Sequence, residues 1–200
     1  MAVTPNYSWP VPVNTDYVKD GAEAIKDLGD AIDSTVFGLP SGGLTLIKTQ
    51  AIDTAVTSVN VTSAFSATYD NYLIKVSGTD FSADDVILRM TLNGSAGSTY
   101  QYGGTTTTST GVNTVISGSA LSSGFYVSPT GASDQTSIRC DVYLPFPAQR
   151  TTVLMESWGN AMGLSARGMD NNAVSHTGFS FVPASGTMTG GTIRVYGYQN

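Results

Sequence analysis

The sequence predicts a mostly β protein: a short N-terminal helix followed by an antiparallel β-sandwich or jelly roll. Three observations predict it. Charged residues are only 12% of the 200 residues, about half the roughly 25% of ordinary soluble domains. Helices normally solvate their outer faces with such residues, so a largely helical chain is excluded. Glycine is 22 of 200 residues, above the usual level of about 7%, and serine and threonine crowd in where charges are missing. Finally, from Leu44 onward short β-branched and aromatic runs follow one another between turn residues, with no second helical pattern.

Residues 1–14 are expected to be an extended anchor peptide. Pro5, Pro10 and Pro12 forbid a helix and favour extended backbone in the residues before them. Tyr7 and Trp9 alternate with polar or proline positions, and a free tail has little reason to carry two large rings. Tyr7, Trp9, Pro10 and Pro12 are therefore candidates for docking in the groove of another protein. The alternative is that the peptide packs on its own chain.

Residues 15–37 are expected to form an amphipathic helix. Asn14 or Thr15 suits an N-cap, and Asp16 suits the positive end of the helix dipole. Val18, Ala22, Ile25, Gly29, Ile32 and Val36 are spaced 4-3-4-3-4, with Leu28 beside the seam. That is the apolar repeat of a short coiled coil. Six acids (Asp16, Asp20, Glu23, Asp27, Asp30, Asp33) and two bases (Lys19, Lys26) lie in the first 36 residues, so this segment is charged unlike the rest. About three heptads containing Gly21 and Gly29 are marginal alone in water. The helix needs cover, either from the following domain or from equivalent helices of symmetry mates. Residues 38–43, with Leu39-Pro40-Ser41-Gly42-Gly43, read as a linker.

Residues 44–200 are expected to be the β-sandwich domain. Strands are expected at Leu44–Ile47, Ala55–Phe65, Tyr69–Val76 and Val86–Leu92, the last closed by the turn signal Asn93-Gly94. Shorter ones are expected at Ser98–Tyr102, Val112–Ile116 and Gly124–Val127. Ile138, Cys140, Val142 and Leu144 form one face of a period-two strand. Thr151–Trp158, Phe179–Val182 and Ile193–Tyr198 complete the set. The Gly/Ser/Thr-rich stretch Gly103–Ser137 reads as an edge hairpin or exposed loop, and Met162–Val174 as a long loop.

The residues carry little sign of chemistry. A net charge of −6 argues against a phosphate-tracking nucleic-acid binder. No apolar run is long enough for a transmembrane helix, and no secretion signal opens the chain, so no membrane insertion and a cytoplasmic origin are expected. The lone Cys140 reads as a core residue. The lone His176 reads as an ordinary structural histidine on a strand edge. Asp80, Asp84 and Asp85 read as solvated turn acids rather than a calcium loop. No nucleophile elbow, P-loop or dinucleotide fingerprint occurs. No catalytic residue, cofactor or metal site is expected. Glu156 with an Asp could in principle form a glycosidase pair, but no spacing supports one. Tyr100, Tyr102, Tyr126, Tyr196 and Tyr198 could stack on sugars, or pack on neighbouring strands.

The N-terminal residues carry a resemblance. Thr4-Pro5-Asn6-Tyr7-Ser8-Trp9-Pro10-Val11-Pro12, Asn14-Thr15-Asp16-Tyr17-Val18-Lys19-Asp20-Gly21-Ala22 and Ala24-Ile25-Lys26-Asp27-Leu28-Gly29-Asp30-Ala31-Ile32-Asp33 resemble the opening of tailed-bacteriophage virion proteins. Phe65–Ile74 and Ile193–Tyr198 resemble the β-domain of phage tail fibres and minor tail proteins. The resemblance implies a homotrimeric, non-enzymatic virion structural protein. Its helices (Val18, Ala22, Ile25, Leu28, Ile32, Val36) would bundle, and its N-terminal peptide would attach to another virion protein. The body would project, with a host surface glycan or protein as a further partner. A tail fibre, tip or receptor-binding component is the first expectation. A capsid or collar fibre or decoration protein is the second, with a carbohydrate-active enzyme or a non-viral adhesion module more remote.

Overall fold

A computed structural model describes residues 2–13, 17–38, 43–84, 86–121, 123–131, 135–159 and 161–199. The chain divides into two compact units, residues 1–42 and 43–200. It is mostly β, with one short N-terminal helix, and every strand pairing among the described residues is antiparallel.

In the first unit, strands β1 (Ala2–Val3) and β2 (Pro10–Val11) pair as a small ribbon. The peptide is extended in its two arms but folds back on itself between them. Ser8 takes φ 55° and donates its N–H to Thr4 O at 3.0 Å, while Thr4 N–H reaches Trp9 O at 2.9 Å. Pro10 fits because a ribbon edge needs no N–H there. A 3-10 turn, Val18–Asp20, leads into helix α1, Gly21–Gly38. The helix thus starts later than the capping signals suggest. Asn14, Thr15 and Asp16 lie outside the described residues, as does 39–42 of the expected linker.

The second unit holds thirteen strands among its described residues. They are β3 (Leu44–Ala51), β4 (Val59–Val61), β5 (Asn71–Phe81), β6 (Val86–Leu92), β7 (Tyr100–Thr108), β8 (Asn113–Leu121), β9 (Phe125–Thr130), β10 (Thr136–Tyr143), β11 (Gln149–Gly159), β12 (Met162–Val174), β13 (Phe179–Pro183), β14 (Met188–Thr189) and β15 (Thr192–Tyr198). The larger sheet runs β3-β15-β5-β10-β11-β12-β7-β8, with β14 also on β5; the smaller runs β4-β13-β6-β9. The two layers are unequal, nine strands against four, unlike the even division of an eight-stranded jelly roll.

Alternation makes the core. Along β10, Ile138, Cys140 and Val142 are fully or nearly fully buried. Val153 and Met155 of β11 and Leu164 and Ala166 of β12 continue that face. Phe179 and Phe181 of β13 and Met90 of β6 face them from the smaller sheet and are essentially inaccessible. Aromatic rings interlock edge to face, Phe65 with Tyr72 at 4.8 Å and Tyr100 with Phe125 at 4.9 Å. The Tyr72 hydroxyl is satisfied: Tyr72 Oη donates to Ser66 O and accepts from Ser66 N–H, both at 2.8 Å. Burial pushes the Tyr100 hydroxyl above its ordinary range, where it accepts Leu92 N–H at 2.8 Å. Cys140 is wholly inaccessible, and burial drives its thiol far from the reactive thiolate form.

Three expectations need correction. Met162–Val174 is not a loop but β12, a thirteen-residue strand in the larger sheet. Its glycines and polar residues weakened the strand signal, yet β11 and β7 supply ladders on both sides. Of the two readings of the tyrosines, Tyr100 and Tyr126 take the packed one, because β7 and β9 turn them inward. Leu144 leaves the β10 face at φ 54°. His176 is not on a strand edge. It lies between β12 and β13 with no exposure, its Nδ1 2.9 Å from Asn93 O. A carbonyl only accepts, so Nδ1 carries the hydrogen. Nε2 faces the equally buried Asp170 carboxylate at 3.4 Å. This histidine ties the Asn93-Gly94 turn, where Gly94 has φ 92°, to β12. The turn itself joins the two sheets rather than two neighbouring strands.

Candidate functional site

Two surfaces are open in ways the core is not. The first is the helical unit. Trp9 is half-buried, and its Nε1 donates to Thr35 Oγ1 at 2.8 Å; Thr35 in turn donates to Ala31 O at 2.8 Å. Trp9 is thus engaged by the chain's own helix. Tyr7 stacks on it at 5.1 Å and stays 57% exposed, Pro10 is half-buried, and Pro12 is exposed. On α1 the buried or half-buried positions are Gly21, Ala24, Asp27, Leu28, Ala31, Ile32 and Thr35. Most of them repeat at 3-4 spacing one residue behind the predicted seam. The seam itself stays largely open. Val18 is 98% exposed, Ile25 68% and Val36 58%, Ala22 is exposed, and Leu28 and Ile32 are half-buried. Phe37 extends this apolar surface.

The second surface is the outward face of the larger sheet, which the sequence reading did not single out. Strand register assembles it. Arg194 on β15 stands opposite Lys75 on β5, Lys75 opposite Arg139 on β10, and Arg139 opposite Glu156 on β11. Neighbouring strands are about 4.8 Å apart, so these four residues span roughly 14 Å. Like charges directly opposite one another are unfavourable. Arg139 is partly relieved, because its Nε donates to Asp141 Oδ2 at 3.0 Å, and this contact raises the guanidinium pKa further. Asp141 is also held by the Tyr198 hydroxyl. Burial first, then the bond to Asp141, pushes that tyrosine above its ordinary range. Lys75, Arg194 and Glu156 make no ion pair or side-chain hydrogen bond with the described residues.

These residues line a shallow depression of about 600 Å³, bordered by Trp158 and Tyr196. A neighbouring one of about 400 Å³ shares Arg139 and Glu156 and adds Asn71, Tyr143 and Tyr198. Trp158 is 53% exposed. Its ring lies on the opposed Gly163, where a Cβ would stand only 3.0 Å from Cε3. The glycine makes room for one face of the indole and leaves the other to solvent.

No family model, curated protein or solved structure matches this chain. Among the described residues no three His, Cys, Asp or Glu side chains gather as metal ligands, and no helix is long and apolar enough to cross a membrane. Tyr196 and Tyr198, which the sequence offered as sugar platforms, do lie at the outward depressions. Lys75, Arg139 and Arg194 were missed because they sit far apart along the chain. Their outward phase was readable, but their adjacency depends on register.

Proposed function

We propose that this chain is a non-enzymatic bacteriophage virion structural protein that trimerises through its N-terminal helix. It attaches to another virion protein through its N-terminal peptide and displays the β body, as a tail fibre, tip or receptor-binding component does. The observation that carries this reading is the open seam. An 18-residue helix is marginal in water without packing. The folded-back peptide engages one stripe of it and leaves Val18, Ala22, Ile25 and Val36 exposed beside that stripe. A second and third copy would bury them as a coiled coil does. The number three comes from the resemblance of residues 4–33 to tailed-phage proteins. Tyr7 and Pro12, still exposed, are the parts of the peptide left to meet a partner.

Native mass spectrometry of the full chain tests this reading. Three copies per particle are expected, and a single chain at all workable concentrations would refute the bundle. Labelling the protein on intact particles then separates a tail position from a capsid or collar one.

A further inference from the structure

We infer that the outward face of the larger sheet binds an acidic saccharide, a sugar polymer bearing carboxylates. This deepens the reading of the body as the displayed part of a virion protein and rests on that reading for its biological setting; the chemistry rests on the sheet face alone.

Three features of the face converge. Lys75 and Arg194 stand side by side, with no carboxylate among the described residues paired to them, beside Arg139. A fold gains nothing from that row by itself, and an anion laid across it removes the repulsion. Glu156, also unpaired, closes the row. It is an acceptor-only group suited to the hydroxyls of a sugar. Trp158 sits one register step beyond Glu156 on the same face, its ring set on Gly163 and half open. An immobilised indole is a low-entropy platform for the C–H face of a pyranose ring. Cations, a hydroxyl acceptor and a flat ring therefore lie within one depression of about 600 Å³, the size of an ordinary ligand site.

The same features disfavour other occupants. A DNA strand offers phosphates and stacking bases, but it lacks the row of sugar hydroxyls from which Glu156 would accept. A neutral glycan would use Trp158 and leave the cation row unanswered.

The test titrates the full chain with oligogalacturonate, following tryptophan emission. The chain has two tryptophans, so a Trp9→Phe background isolates Trp158. Saturable, salt-weakened binding is expected, with a neutral galactan oligomer of equal length at least about tenfold weaker. The double variant Lys75→Ala/Arg194→Ala should lose about tenfold or more in affinity. Trp158→Phe should retain binding that Trp158→Ala loses, both read by isothermal titration calorimetry because these variants lack the reporter ring. Circular dichroism of each variant keeps misfolding apart from lost contacts. No saturation at millimolar oligogalacturonate, equal affinity for the neutral oligomer, tighter binding of single-stranded DNA, or unchanged affinity in the double variant would each overturn the proposal. So would a fall in native mass in the double variant, because the face would then be a contact between copies. The wild-type native mass is read separately: a monomer that still binds the acidic oligomer sinks the trimer and spares the site, and a trimer that binds nothing does the reverse.

Discussion

The helical unit and the β body handle apolar surface in opposite ways. The body closes its own core, with Tyr72, Ile74, Phe125, Phe179, Met90 and Val195 at or near zero exposure. The helical unit has a single buried apolar residue on α1, Ala24, and leaves Val18, Ile25, Val36 and Phe37 open. Charge divides the same way. Eight of the chain's 24 charged residues lie in the first 36, where they solvate a helix that cannot solvate its own seam. The body replaces charge with hydroxyls and places three of its few cations side by side on one sheet face. The difference teaches where to look for partners. The proposed reading gives the open apolar seam to copies of the chain and the unbalanced polar face of the sandwich to a ligand.

The largest expected effect breaks the comparison at the helix. Ile25→Asp with Ile32→Asp should convert the proposed trimer wholly to single chains by native mass, while the thermal transition of the body stays in place. If the body melts with the helix, the two regions are not independent. Next, His176→Ala should destabilise the body by about 2–5 kcal/mol in urea denaturation, from the cavity left and the lost bond to Asn93 O. It removes the imidazole that faces the inaccessible Asp170 Oδ2, while Oδ1 keeps the Asn172 N–H at 3.1 Å. His176→Leu with Asp170→Leu should recover much of that loss. Failure to recover would mean the turn tether through Asn93 O, and not the buried polar group at Asp170, sets the cost.

Alkaline titration gives a smaller effect. Tyr100 and Tyr198 both have folded-state pKa values raised chiefly by burial. Their contribution is therefore complete below the unfolded tyrosine value of about 10 and lost as pH climbs through the raised values. Ultraviolet titration should show both ionising later than free tyrosine, and Tyr198→Phe should remove one of the late steps. The smallest effect returns to the first unit. Thr35→Val removes the acceptor of Trp9 Nε1 and should cost about 1 kcal/mol. Hydrogen exchange at Trp9 and along α1 should quicken, with the β body unaffected.

Particular residues show what was legible. The strand Val86–Leu92 is found with the bounds its pattern gives, since alternation and the Asn93-Gly94 stop agree. The Gly/Ser/Thr-rich stretch contains the edge hairpin β7–β8, as threonine's β preference suggests. β12 was invisible because Gly163, Gly168 and its Asp and Asn residues lack the composition of a strand. Only neighbours on both sides hold it extended. The helix was legible because its period is local, but the stripe that its own unit covers lies one residue behind the predicted seam. The outward cation row was not, because Lys75, Arg139 and Arg194 come from three strands distant in sequence.

By itself, then, the sequence determined the class of structure: a charged N-terminal helix with an apolar seam, and a low-charge antiparallel β body. Those follow from periodicity and composition, which act over a few residues. Tertiary structure alone decided which strands are neighbours. Register is set by long-range ladders and by the packing of one layer on the other, so it alone decided that His176 is sealed against Asp170. It alone placed three cations, a carboxylate and an indole on one open face.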